Sequence, residues 1–410
     1  MKINMKIENK DIKRVVPPLR FPEFRDAEGW PYQNGNILFQ QTSNRTHNSD
    51  LPILAITQEH GAIPRNMIDY NVTVTEKSLE SYKVVEKGDF IISLRSFQGG
   101  IEYSAYTGIC SPAYIILRNR KDICHLFYAK YFKSHQLIND LNKNLEGIRD
   151  GKMVSYKQFS ELLLPYPKNN EQQKIAYCLG SLDDLINAVK DKVEALKEYK
   201  KGLMQQLFPA EGKTTPTLRF PEFQNAGEWR QTTVENICEM QAGKFVSASD
   251  IYEKRESEMY PCYGGNGLRG YTYSFTHSGV YLLIGRQGAL CGNVTFVDGT
   301  FHATEHAVVV TCKEGIVPHW LYYQFTKSNL NQYATGQAQP GLSVEVIKKV
   351  DVSIPKDNNN QIRKGEQQKI ADCLSSVDEL ISTQADKLDQ LKAHKKGLMQ
   401  QLFPTLTNRL

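Results

Sequence analysis

A chain of 410 residues with a net charge of +5 and an isoelectric point near 8.6 has room for two or three domains and is only mildly basic. That charge permits a polyanionic partner without demanding one. Eight cysteines without a CxxC pair argue against a zinc module or a disulfide framework and read as buried thiols in a reducing compartment.

The N-terminal stretch MKINMKIENKDIKRVV lacks the apolar centre of a signal peptide, and no run approaches the ~18 apolar residues that span a bilayer. A cytoplasmic protein without membrane contact is expected. Residues 1–17 read as a polar tail. Pro17–Phe24 then spells PPLRFPEF, and nearly the same words return as PTLRFPEF at Pro216–Phe223; Trp30 and Trp229 follow. The chain is therefore a tandem duplication. Its parts are a first globular segment (18–170), a long helix (171–208), a linker (209–217), a second segment (218–365) and a second helix (366–403).

Both segments mix short strands with a helix. The first offers strands at 52–57, 89–94 and 113–117 and a helix over 126–134. The second offers strands at 280–284, 293–297 and 307–311 and a helix near 319–326. Each closes with a Gly-rich polar loop (Gly147–Lys152, GIRDGK; Gly336–Ser343, GQAQPGLS). A short amphipathic stretch and a strand with proline (162–167; 350–355) come next.

The two helices, EQQKIA…KKGLMQQLFP at Glu171–Pro209 and Glu366–Pro404, carry a heptad rhythm. In the first the apolar rows are Ile175, Leu182, Val189, Leu196 and Leu179, Ile186, Val193. In the second they are Ile370, Val377, Leu391, Leu398 and Leu374, Ile381, Leu388. Alternating four and three spacings describe a coiled-coil seam, on a rod roughly 54 Å long. The seams are expected to pair antiparallel, with Ile175 near Leu402 and Leu207 near Ile370. Lys200 and Lys395 interrupt the seam, with stems on apolar surface and charges reaching water. Gly202 and Gly397 suggest a close backbone approach or a bend. Six lysines balance six acids between Glu171 and Lys201, which marks a solvated or protein-docking face rather than a DNA stripe.

On LRFPEF, the EQQKIA…KKGLMQQLFP helices and the GQAQPGLS loop, the chain resembles the specificity subunits of type I restriction–modification enzymes, over nearly its whole length. GIRDGK departs from the GxxxPG pattern of that loop. The resemblance implies an α+β protein: two mixed α/β target-recognition domains joined by two long helices in an antiparallel coiled coil, pseudo-twofold. It implies that each domain reads half of a split double-stranded DNA target. The helices would act as a ruler and dock two methyltransferase (modification) subunits, with restriction/translocase subunits joining them. S-adenosylmethionine, Mg and ATP would bind those partners and no cofactor this chain.

Bases are told apart by Arg on guanine and by Asn or Gln on adenine, while Lys and Arg on phosphates supply attraction. Residues of those types fall in loops of both segments. The first holds Gln58, His60, Arg65, Arg95, Gln98, Arg149 and Lys152. The second holds Lys244, Tyr263, Asn266, Arg269, Arg286, Gln287, Gln337 and Gln339. Arg95 and Arg286 each follow a hydrophobic strand and precede Gln-Gly, and are paired on that ground. The turn-rich Tyr260–Gly270 stretch would hold Asn266 and Arg269 on a tight loop.

Other motifs carry less. His302–His306 spells HATEH, a zinc-peptidase pattern that needs a helix. Its flanks read as strands, on which residues four apart stand ~13 Å from each other, so no metal site is assigned and the stretch is read instead as lining the DNA face. Glu198–Lys200 lies in a helix without a nuclease framework. There is no GxxxxGK loop, no Asn-Pro-Pro-aromatic methyltransferase tetrapeptide and no nucleophile–base constellation. A non-catalytic recognition subunit is the expectation. The alternative is a stand-alone DNA methyltransferase or nuclease with an unrecognised site.

Overall fold

The structure, a computed structural model, describes residues 14–47, 50–68, 76–93, 101–143, 154–336, 340–357 and 359–404. It divides into two units, Met1–Ala188 with Lys387–Leu410, and Val189–Asp386. Each contains a globular domain and part of both long helices. Those helices run Asn169–Leu207 and Lys364–Leu402, within two residues of the heptad expectation.

In the first unit, strand Trp30–Asn34 pairs with Arg14–Val15 on one side and with Leu163–Pro165 on the other. The expected tail thus ends earlier than residue 17, because Arg14 and Val15 find a strand to pair with. A four-stranded sheet follows, in the order Phe39–Thr42, Ile115–Asn119, Phe90–Ile92, Glu102–Tyr103. Helix His125–Tyr131 packs Phe127, Tyr128 and Tyr131 on it. In the second unit, Arg230–Thr233 pairs with Asp351–Ile354. Its six-stranded sheet has the order Cys238–Ala242, Ala307–Cys312, His277–Gly285, Val294–Ala303, Tyr260–Gly264, Gly267–Thr272. Helix Pro318–Ser328 buries Trp320, Leu321 and Phe325 beneath it. In both units the last strand of the domain returns to the strand that follows the LRFPEF motif, so the chain enters the long helix beside that motif.

That neighbourhood explains the repeated words. Arg20 donates from Nε and Nη2 to the Glu171 carboxylate (2.6 and 2.8 Å), and Arg219 does the same to Glu366 (2.8 and 3.0 Å). Each arginine also donates to the carbonyls just ahead of the tryptophan: Ala27 and Glu28, or Ala226 and Gly227. The bond to Glu171 outweighs burial and holds the Arg20 guanidinium more firmly charged than usual. One residue earlier, the Leu19 N–H donates to Gln401 O at the end of the other helix (3.1 Å), and the Leu218 N–H to Gln206 O (3.0 Å). Each head motif therefore brackets the start of one helix to the end of the other.

The remaining letters have matching tasks. Gln172 accepts from Cys124 N–H and donates to Pro167 O; Gln367 accepts from Val317 N–H and donates to Gly315 O. Lys174 pairs with Glu23 over the Phe21 ring, and Lys369 with Glu222 over Phe220. The LFP words at the helix ends are plugs. Leu402 and Phe403 enter the first domain's core with Ile175 and Leu179; Leu207 and Phe208 enter the second's with Ile370 and Leu374. In each unit the helix segments therefore run antiparallel.

Along the seam Ile175, Leu179, Val189, Val193, Ile370, Leu374 and Val377 are buried. Leu182, Ile186, Leu196, Ile381, Leu388, Leu391 and Leu398 are half-buried. The two lysines differ from expectation. Lys395 pairs across the seam with Asp183, which Lys130 also holds (2.5 Å). Lys200 pairs with Asp378 (2.7 Å), which accepts from Tyr323 Oη (2.7 Å). Their charges end on an opposing carboxylate rather than in water. Gly202 and Gly397 likewise make no close approach within the chain: a methyl group on either would meet nothing within 4 Å. All eight cysteines are free and none is exposed. Among the described residues no helix is long and apolar enough to cross a membrane.

Candidate nucleic-acid interface

In the second domain, the turn-rich stretch that reads as a loop is a hairpin. Tyr260–Gly264 pairs with Gly267–Thr272, so Gly265 and Asn266 form the two-residue turn, with Gly267 at φ +82°. Glycine suits such turns because it adopts positive φ without strain. The turn is pressed on the sheet beneath. A methyl group on Gly285 would lie 1.9 Å from Gly265 O, and one on Gly265 would lie 3.1 Å from His306 O. The approach requires glycine at 285 and packs the hairpin tip closely on the sheet. Asn266 Oδ1 accepts from Asn293 Nδ2 (3.1 Å), which orients its amide.

Three further pieces of backbone converge there. The Arg286 N–H donates to His306 O (2.9 Å), the Thr304 N–H to Tyr263 O (2.9 Å), and the Leu342 N–H to Arg286 O (2.8 Å). The Gly288 N–H donates to Pro340 O (2.9 Å), so the C-terminal part of the GQAQPGLS loop is fastened beside Gln287. The result is a cleft of about 520 Å³ lined by the hairpin tip, Arg269, Gln287, Gly288 and His306. Asn266, Arg269 and Gln287 are exposed on its walls.

The structure thus brings Asn266, Arg269 and Gln287 together. Lys244 is exposed elsewhere on the domain, with its carbonyl accepting from His302 Nε2 (3.2 Å). Two residues differ from their expected exposure. The Tyr263 ring packs edge-on against Phe301 (5.8 Å) and supports the hairpin's base. Arg286 is half-buried and turns Nη1 toward Glu305 O (3.4 Å), because its strand leads straight under the hairpin. Gln337 and Gln339 lie outside the described residues.

In the first domain, Gln58 and His60 sit exposed on the turn between strands Leu54–Thr57 and Gly61–Pro64, and Arg65 follows, half-buried. The turn is tied by Thr57 Oγ1, which accepts from the His60 N–H, and by Lys133 Nζ, which reaches Gln58 O (3.4 Å) and the buried Glu102 carboxylate (2.5 Å). Arg95, Gln98, Arg149 and Lys152 lie outside the described residues, so the expected Arg95–Arg286 correspondence has no geometry on the Arg95 side.

The HATEH stretch is not one straight strand. His302 closes strand Val294–Ala303 near its end, and Thr304–Glu305–His306 turn into strand Ala307–Cys312. Both ring nitrogens of His302 are engaged, by Ser274 and by the Lys244 carbonyl. Among the described residues no group of His, Cys, Asp and Glu could hold a metal ion. What sequence reading did not supply for Glu305 and His306, read only as part of a stretch lining the DNA face, is their place beside the hairpin; their nearness to Asn266 depends on strand order.

Two domains of unlike sheet architecture, each bracketed by the same duplicated clamp, define the class. The family described as type I restriction modification DNA specificity domain matches residues 30–198 and again 226–393, and the chain belongs to it. Among curated relatives it is similar to the EcoprrI specificity subunit of Escherichia coli, 50% identical over 129 residues. That match spans 31% of this chain and about a third (32%) of the relative. It is 22% identical over 362 residues to the MjaVIII specificity subunit of Methanocaldococcus jannaschii, covering 81% of each. The fold is shared with the S subunit of a type I system from M. genitalium, at a TM-score of 0.61 and 15% identity over 96% of this chain and 100% of that one.

Proposed function

We propose that this chain is the DNA sequence-recognition subunit of a type I restriction–modification complex. It reads a bipartite asymmetric target, one half-site per domain, and has no catalytic centre of its own. The observation that carries this reading is the duplicated frame around divergent domains. Clamp, helix start and helix plug repeat residue for residue, while the sheets they hold differ in strand number and order. A frame kept alike around unlike surfaces suits two readers that contact different bases. Exposed Asn, Gln and Arg on turns supply the groups that read base edges in the major groove, and the remaining cationic side chains act on phosphates.

The paired helices serve as the ruler and as the docking surface for two modification subunits, joined by restriction/translocase subunits. S-adenosylmethionine, Mg and ATP act on those partners. Replacing residues 224–357 by the corresponding domain of another specificity subunit tests the reading. Mapping of methylated adenines is expected to show one half-site changed and the other kept. A change in both half-sites overturns modular recognition. Stoichiometric binding of S-adenosylmethionine by the isolated chain would favour a stand-alone methyltransferase.

A further inference from the structure

Glu305–His306, the end of the HATEH stretch, lies in the turn that leads into strand Ala307–Cys312. His306 lines the cleft, with its backbone and Cβ close to Gly265 at the hairpin tip. Its Nε2 lies 3.2 Å from Glu305 Oε1. Neither His306 ring nitrogen makes a hydrogen bond among the described residues, and an imidazole can offer one ring nitrogen as an acceptor. Arg269 has no hydrogen bond or ion pair among the described residues, and its stem crosses the hairpin at Gly264. A methyl group on Gly264 would lie 3.7 Å from both Arg269 Cδ and Thr304 Oγ1. That point puts the arginine beside the Thr304–His306 turn. Thr304 is fully buried, and its Oγ1 has no partner among the described residues. The thiol of buried Cys262 is raised chiefly by burial, then lowered by the charge of Arg269 and raised by that of Glu305, so the two charges flank the same strand.

A free guanidinium and an imidazole acceptor in one cleft match the two halves of one base pair. In the major groove guanine presents N7 and O6 as acceptors, and its cytosine presents the N4 amine as donor. Resting on the recognition function proposed above, we infer that this cleft reads a single G·C pair. Arg269 donates to guanine N7 and O6, and a His306 ring nitrogen accepts from cytosine N4. Glu305, whose Oε1 lies 3.2 Å from His306 Nε2, is a positioning residue that holds the ring in place.

The test uses the full chain co-expressed with the modification subunits of its host. Duplexes bound from a library randomised across the half-sites are sequenced. R269A is expected to reduce the preference for G·C at one position about ten- to a hundredfold, with every other position unchanged. H306A should reduce it several-fold at that same position. E305A, which removes the contact with the ring, should also weaken the preference there, without a change in melting temperature. Should R269A fail to fold, R269K, which keeps stem and charge, is read in the same way. The inference is overturned if R269A retains every base preference, or if its affinity falls equally on all sequences, the mark of a phosphate contact. A wild-type complex without any sequence preference would instead remove the recognition function itself.

Discussion

Arg20 and Glu171 show how one buried ion pair does its work. Their side chains are only 6% and 3% exposed, and the bidentate geometry is repeated by Arg219 and Glu366. Taking two charges from water is costly, and only close pairing with full hydrogen bonding offsets it. Removing one partner strands the other. R20M should therefore destabilise the chain by about 3–5 kcal/mol. The double variant R20M/E171M should cost clearly less than the sum of the single changes, as read from urea unfolding. If the double cost equals that sum, the two residues are not coupled and the clamp is misassigned. A sequence can show that Arg20 and Glu171 recur as Arg219 and Glu366. It does not show that residues about 150 apart meet, because only the return of the last strand to the first brings them together.

At the scale of the element, the long helices combine an apolar seam with charges that select its register. Burial raises the Asp183 carboxyl, but hydrogen bonds from Lys130 and Lys395 outweigh it and hold the group below the ordinary aspartate range. A carboxyl lowered in the folded state adds stability that is present above the unfolded value of about 3.9 and lost as pH falls through the folded one. D183N should therefore flatten the loss of stability below about pH 4 while lowering stability at neutral pH. An unchanged acid limb in D183N would show that the junction contributes nothing. Gly202 and Gly397 give a contrasting case. An added methyl group meets no neighbour at either site, so G202A and G397A should each stabilise the isolated chain by about 1 kcal/mol. Thermal melting checks this. If the variants melt higher yet assemble poorly with modification subunits, the glycines mark where a partner backbone lies close.

For the molecule as a whole, the brackets constrain how a ruler can be lengthened. Heptad arithmetic alone suggests that one insertion in either helix would alter the half-site spacing. The structure ties the end of each helix to the head of the other repeat, through Leu19 to Gln401 and Leu218 to Gln206. A seven-residue insertion in one helix alone would break a bracket or slip the seam, and a loss of stability is the expected result. Matched insertions in both helices keep the brackets and add ~10 Å of helix. Methylation mapping should then show half-sites moved apart by about three base pairs, at ~3.4 Å each. Unchanged spacing with a stable protein would remove the ruler.

Heptads, repeated words and alternating apolar runs are local patterns. From them the sequence by itself determined the duplication, both long helices to within two residues, eight of the nineteen strands among the described residues and the likeness to specificity subunits. Tertiary structure decided which repeated residues meet: head arginine with helix-start glutamate, terminal Phe403 with the first domain's core, seam lysine with opposing aspartate. It also decided that Arg286 lies under the hairpin and that His306 and Arg269 line one cleft. The physical reason is that a side chain's partners across a sheet depend on strand order, and strand order is set by burial over long sequence separations rather than by neighbouring residues.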